Sequence, residues 1–190
     1  MRLFFALPLI RTGDICLFRR SPTLFGRFIR LWTQSPFSHV GIALWVIVDG
    51  TRRLCILEAL EGVGVRLFPM DRYLEECHAS GCLIDWYQVV DSEINRDRVA
   101  GYALQQWGRP YATPWQFVWS WGLLSGWWRR LRGLPVDTDP ERWFCSELVT
   151  AALRHAGYVP ESGDDSEPAA TEPGAVALFP CLQRRGAIEP

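Results

Sequence analysis

The chain contains no lysine: all twenty of its basic residues are arginine. Schiff-base and lysine-nucleophile chemistry are therefore excluded. A surplus of charge of either sign is also missing, since 20 basic residues face 21 acidic ones and the formal charge is −1. Proteins that grip a phosphate backbone use excess positive charge to displace counterions, so nucleic acid is not an expected partner. The six cysteines, at 16, 55, 77, 82, 145 and 181, include no pair at the two-residue spacing of a zinc knuckle or a Cys-x-x-Cys redox motif. Free thiols in a reducing, cytoplasmic setting are the expectation. The N-terminal apolar run, Leu3 to Ile10, is far below the roughly 20 residues that span a bilayer. The run Leu3 to Ile10 is short, contains Pro8 and leads into Arg11-Thr12-Gly13-Asp14 without a small-residue cleavage site, so no signal peptide is read there.

What is present suffices for one sizeable core: 190 residues, 48% of them hydrophobic and 22% charged. Asp14 to Arg20 reads as a short strand. Leu24, Phe28, Leu31 and Trp32 recur at helical spacing up to Ser35-Pro36. Val40 to Val48 is nearly continuous in apolar and β-branched residues, the pattern of a strand buried on both faces. Asp49-Gly50 is a hairpin turn into Leu54 to Leu60, and Glu61-Gly62 turns into Val63 to Phe68, giving a three-stranded meander. A helix around Met70 to Glu76, a strand from Leu83 to Val90 and a helix from Asn95 to Trp107 follow. Tyr111 to Leu134 carries five of the ten tryptophans and ends in Arg129, Arg130 and Arg132. A last amphipathic helix spans Phe144 to His155. Pro160 to Pro173 reads as a surface loop, and Ala175 to Phe179 as a short apolar segment.

Three local features bear on chemistry. Ser38-His39-Val40-Gly41-Ile42 heads a strand, Leu57-Glu58-Ala59 lies on its hairpin partner, and Phe144-Cys145-Ser146-Glu147-Leu148 opens a helix. A cysteine at a helix start sits near unpaired N–H groups and the positive end of the dipole, both of which favour a thiolate. An imidazole can take the thiol proton and return it to a leaving group, and a carboxylate can hold that imidazole in place. Each residue also has a structural reading. Cys145 alone fits a core thiol, His39 a structural histidine, and Glu58 a partner for Arg66. In combination they are harder to set aside, because a buried strand that admits both His and Glu incurs a desolvation cost unless they satisfy each other or perform a task.

The order Gly13-Asp14-Ile15, Ser38-His39-Val40-Gly41-Ile42, Leu57-Glu58-Ala59 with Gly64-Val65-Arg66, and Phe144-Cys145-Ser146-Glu147-Leu148-Val149 resembles the circularly permuted NlpC-type papain-like cysteine hydrolases. Within them it is most similar to the YiiX/YebB-like branch, related to the lecithin:retinol acyltransferase-like proteins. The resemblance implies an α+β, permuted papain-like fold: one domain over 1–190, an antiparallel sheet packed against helices, and the nucleophile at a helix N-terminus. A Trp-rich helical insert occupies about 111–134. It places the nucleophile on Cys145, the general base on His39 and the orienting residue on Glu58. Tyr111 corresponds to a substrate-binding position near the active site. Glu147 reads as a dipole partner, and His78 and His155 as surface residues.

The implied activity is hydrolysis or acyl transfer at an amide or ester bond through a thioester on Cys145, with no cofactor and no metal. The family supplies two substrate classes, lipid acyl groups and cell-wall peptides. The Trp-rich segment has the composition of an interfacial helix or an acyl groove, and equally that of a helical hairpin packed on the sheet. Peripheral membrane contact is therefore one expectation for it. The non-enzymatic alternative is an inactive papain-like module that binds a membrane or a protein partner.

Overall fold

A computed structural model describes residues 8–19, 24–112, 142–160 and 171–188. Eleven elements are present among them: β1 (Ile15–Arg19), α1 (Leu24–Thr33), β2 (Phe37–Val48), β3 (Thr51–Leu60), β4 (Gly64–Pro69), α2 (Met70–Ser80), β5 (Leu83–Val89), α3 (Arg96–Gln105), α4 (Cys145–His155), α5 (Pro173–Val176) and β6 (Leu182–Ile188). The strands form one six-stranded sheet in the order β4-β3-β2-β1-β5-β6. Every neighbouring pair is antiparallel.

The two-residue period of a strand sends alternate side chains to opposite faces, and both faces of this sheet are covered. Ile15, Leu17, Val40, Ile42, Leu44 and Leu57 join a core with Val99 and Ala103 of α3 and Leu148, Val149, Ala152 and Leu153 of α4. Cys16, Phe18, Ala43, Leu54, Ile56, Ile84 and Trp86 face the other way, onto Met70, Tyr73, Leu74 and Cys77 of α2. Double coverage explains why β1 and β2 read as almost continuous apolar runs instead of alternating ones. The meander β2-β3-β4 stands as expected, with Asp49 and Gly50 both at positive φ in the first turn.

Several boundaries differ from the sequence pattern. β2 begins at Phe37, so Ser38 and His39 lie inside the strand. α2 runs on to Ser80 because nothing stops it before Gly81, which caps it in the left-handed conformation at φ 70. The segment around Ala175 to Phe179 begins as a single helical turn, and its Phe179 ring stacks on Tyr158 at 4.9 Å. β6 has no counterpart in the sequence pattern. It pairs with β5, and Arg184 binds Asp85, a carboxylate only 1% exposed that Arg19 of β1 also holds. The Trp-rich stretch lies outside the described residues beyond Ala112, as does 161–170 of the expected surface loop.

Candidate active site

Glu58 and Arg66 sit directly opposite each other in the β3–β4 ladder. His39 of β2 lies on the same side of the sheet and places Nε2 2.6 Å from Glu58 Oε2. Arg66 Nε donates to Glu58 Oε1 at 2.8 Å, and the Tyr73 hydroxyl of α2 donates to Oε2 at 2.8 Å. Glu58 is 0% exposed. A carboxylate taken out of water needs matched partners, and here it has three. Burial alone would raise its pKa; the His39 charge and hydrogen bond, Arg66 and the Tyr73 hydroxyl outweigh burial and hold it below the usual carboxylate range. Aromatic packing fixes these partners in turn. The Arg66 guanidinium lies 4.2 Å from the centre of the Phe68 ring, and Phe18 packs 4.6 Å from Tyr73 and 5.2 Å from His39.

Cys145 is the first residue of α4 and is 3% exposed. The Glu147 carboxylate turns back to accept from the Phe144 N–H at 3.3 Å, so Glu147 caps the helix start, in keeping with a dipole partner. The first N–H groups of a helix have no acceptor within it, and Cys145 stands among them. The Cys145 side chain hydrogen-bonds His39. Since Nε2 faces Glu58, Nδ1 is the ring nitrogen that remains for the sulfur.

Burial opposes a charge on His39, but the neighbouring Cys145 and Glu58 more than compensate and push its pKa up to about 10. The ordinary value is 6.5. With the folded value above the unfolded one, this group's contribution to stability is complete below about pH 6.5 and is lost as pH rises through about 10. His39→Asn should therefore flatten that part of the decline. Urea midpoints of the variant and the parent at about pH 7 and about pH 10 measure it. An equal decline in both chains rules His39 out as the source.

Tyr111 reaches the site through a clamp between two separate stretches of chain. It forms a bridge with Trp143, the Ala112 N–H donates to Trp143 O at 3.1 Å, and the Trp143 N–H donates to Pro110 O at 3.2 Å. The Tyr111 ring meets Phe144 edge-on at 5.7 Å. Burial and the nearby Cys145 and Glu61 charges raise its pKa well above that of a free phenol, so it remains a hydroxyl donor. The clamp rests on Gly64, at φ 98, where a Cβ would overlap the Arg109 carbonyl oxygen that accepts from the Val65 N–H. Gly64→Ala is expected to cost about 1–3 kcal/mol, read from urea unfolding. An unchanged midpoint would show that the clamp yields freely.

His39, Tyr73, Arg66 and Tyr111 open onto a cleft of about 310 Å³ whose walls include Phe18, Ile29, Leu60, Cys77 and Cys82. The structure thus brings Cys145, His39, Glu58 and Tyr111 together. Arg66, which the sequence offers as a partner for Glu58, binds it alongside His39. Tyr73 was missed, although a tyrosine in the apolar stripe Met70, Tyr73, Leu74, Cys77 carries a hydroxyl that needs a buried acceptor. His78 and His155 are exposed, and His155 lies against the Tyr102 ring at 4.8 Å.

An antiparallel sheet whose second and third strands supply an imidazole and a carboxylate, and a helix that begins with the thiol, define a permuted papain-like architecture. Residues 9–121 match the family model of the permuted papain-like amidase enzymes, YaeF/YiiX, C92 family. The chain belongs to this family, and as one of its amidases it is an enzyme that hydrolyses amide bonds. The match includes His39, Glu58, Arg66, Tyr73 and Tyr111 and ends before Cys145. The fold is also similar to the crystal structure of the metalloprotein YiiX from Escherichia coli O157:H7, with a TM-score of 0.63 and 19% identity over 95% of this chain and 98% of that one. No curated protein matches the chain. Among the described residues, no group of three or more His, Cys, Asp or Glu side chains is placed to hold a metal ion.

Proposed function

We propose that the protein is a cysteine hydrolase that opens an amide or ester bond through a thioester on Cys145, with His39 as general base and acid and Glu58 as the residue that orients it. The observation that carries this reading is the contact of one imidazole with both a helix-N-terminal thiol and a buried carboxylate. Cys145 gives its proton to His39 Nδ1, and the thiolate attacks the carbonyl carbon. The tetrahedral oxyanion is met by backbone N–H groups at the start of α4 and by the Tyr111 hydroxyl in the same cleft. His39 then protonates the departing amine or alcohol, leaving an acyl-thioester. Neutral His39 next takes a proton from water, which releases the acid and restores the thiol. An amine or alcohol in place of water would make the same residues an acyltransferase.

Two substrate classes fit this chemistry, cell-wall peptides and lipid acyl groups. The cleft lining of Phe18, Ile29, Leu60, Tyr73 and Tyr111 favours an apolar acyl group. Peripheral membrane contact through 111–134 belongs to the same reading, on composition alone. The test is a panel of short-chain and long-chain acyl esters and cell-wall peptides, with intact mass to catch an acyl adduct on Cys145. Faster cleavage of long-chain esters, with an adduct absent from Cys145→Ala, supports the acyl reading. Cleavage confined to peptides moves the substrate class, and neither turnover nor adduct across the panel overturns the hydrolase.

A further inference from the structure

α2 ends in a turn that brings two cysteines face to face. Gly81 adopts the left-handed conformation, its N–H returns to His78 O, and the Cys82 N–H bonds Cys77 O at 2.9 Å. This helix ending sets the side chain one turn before the cap glycine against the one just after it, usually as an apolar contact. Here both positions are cysteine, 5% and 8% exposed, and their thiols hydrogen-bond each other. Both sulfur-bearing residues line the cleft onto which His39 opens. They also line a second hollow with Leu74, His78 and Ile188, so the pair is reached from two sides.

The two thiols are not equivalent. The hydrogen bond from Cys77 lowers the Cys82 pKa against burial, with His39 adding to the effect, while the same hydrogen bond and burial raise Cys77. Two interacting thiols in one cleft wall are placed as a reactive dithiol, in which one sulfur can resolve the other. At Cys16, Cys55 and Cys181 nothing outweighs burial, which pushes those thiols up.

We propose that Cys77 and Cys82 form a second reactive thiol site, separate from Cys145, which peroxides oxidise to an intramolecular disulfide. The Cys82 thiolate attacks one oxygen of hydrogen peroxide and becomes a sulfenic acid, and the second oxygen leaves as hydroxide, which takes up a proton to become water. Cys77 then attacks the Cys82 sulfur; its proton joins the departing hydroxide, and a second water leaves. Two thiols lose two protons and two electrons, and one peroxide is reduced to two waters. The new bond ties the end of α2 to the start of β5 in the cleft wall, and a dithiol reductant reverses it.

The sequence makes the test clean. Cleavage at arginine releases 73–96 as one peptide that holds Cys77 and Cys82 and no other cysteine. The folded, full-length chain is treated with equimolar hydrogen peroxide, denatured, alkylated with iodoacetamide and digested. Peptide 73–96 is expected without alkyl groups and lighter by two hydrogens than its dithiol form, at peroxide levels about tenfold below those that oxidise Cys16, Cys55 or Cys181. Dithiothreitol should restore double alkylation, and Cys77→Ser should instead accumulate a dimedone-reactive sulfenic acid on Cys82. A doubly alkylated 73–96 after peroxide, or loss of thiols spread evenly over the chain, overturns the proposal. Since the readout is mass on the unmodified sequence, neither a misfolded variant nor the role of Cys145 affects it.

Discussion

Cys145→Ala is expected to reduce amide or ester turnover by about a thousandfold or more, and His39→Ala by a similar factor. In the proposed mechanism the two residues act on one proton and one bond, so the double variant should lose little more than either single one. Additive losses would show that they work in separate steps. Removing a single buried sulfur leaves only a small void, so Cys145→Ala should retain a cooperative unfolding transition. Glu58→Gln should be milder in turnover, because the amide oxygen can still accept from His39 while the anion is gone. Its signature is an alkaline limb of the rate profile shifted to lower pH, since Glu58 is one of the groups that push His39 up to about 10. Full activity in purified Cys145→Ala would dismantle the mechanism.

Asp14→Ala should have the largest effect on stability, about 3–5 kcal/mol. Asp14 is 0% exposed, and its two carboxylate oxygens receive four donors: the Arg11 N–H at 2.9 Å, Trp86 Nε1 at 3.0 Å, the Val89 N–H at 3.2 Å and Arg96 Nη1 at 2.5 Å. These donors come from the turn before β1, from β5 and from α3, so one side chain ties the sheet to a helix that packs on it. Alanine would leave a partly buried guanidinium and several N–H groups without an acceptor. Asp14→Asn retains one acceptor oxygen and should fall between the two. Urea unfolding measures the series, and an Asp14→Ala chain within about 1 kcal/mol of the parent would refute the structural role assigned to this carboxylate. The Gly13-Asp14 piece of the sequence is thus a joint of the scaffold.

How much of this could be read from sequence depended on how local the signal was. Asp49-Gly50 fixes the β2–β3 hairpin, and the strand period then puts His39 and Glu58 on one side, so their meeting follows from residues nineteen apart. Cys145 announced its helix start through the apolar stripe behind it. Nothing local announces Tyr73 as a partner of Glu58, because α2 meets β3 only after the sheet has formed. β6 was illegible for a different reason. Gln183, Arg184 and Arg185 are exposed on an edge strand, where one ladder and two side-chain bridges, Arg184 to Asp85 and Arg185 to Gln88, do what apolar alternation does elsewhere.

The hairpin that joins His39 to Glu58 is complete, with its Arg66 partner, within the first seventy residues, whereas the thiol arrives more than seventy residues later on α4. In the proposed mechanism, synthesis therefore completes the acid–base pair before the nucleophile is made. A nascent chain halted in between carries the imidazole and the carboxylate but not Cys145, so the proposed chemistry has to wait until α4 docks on the sheet.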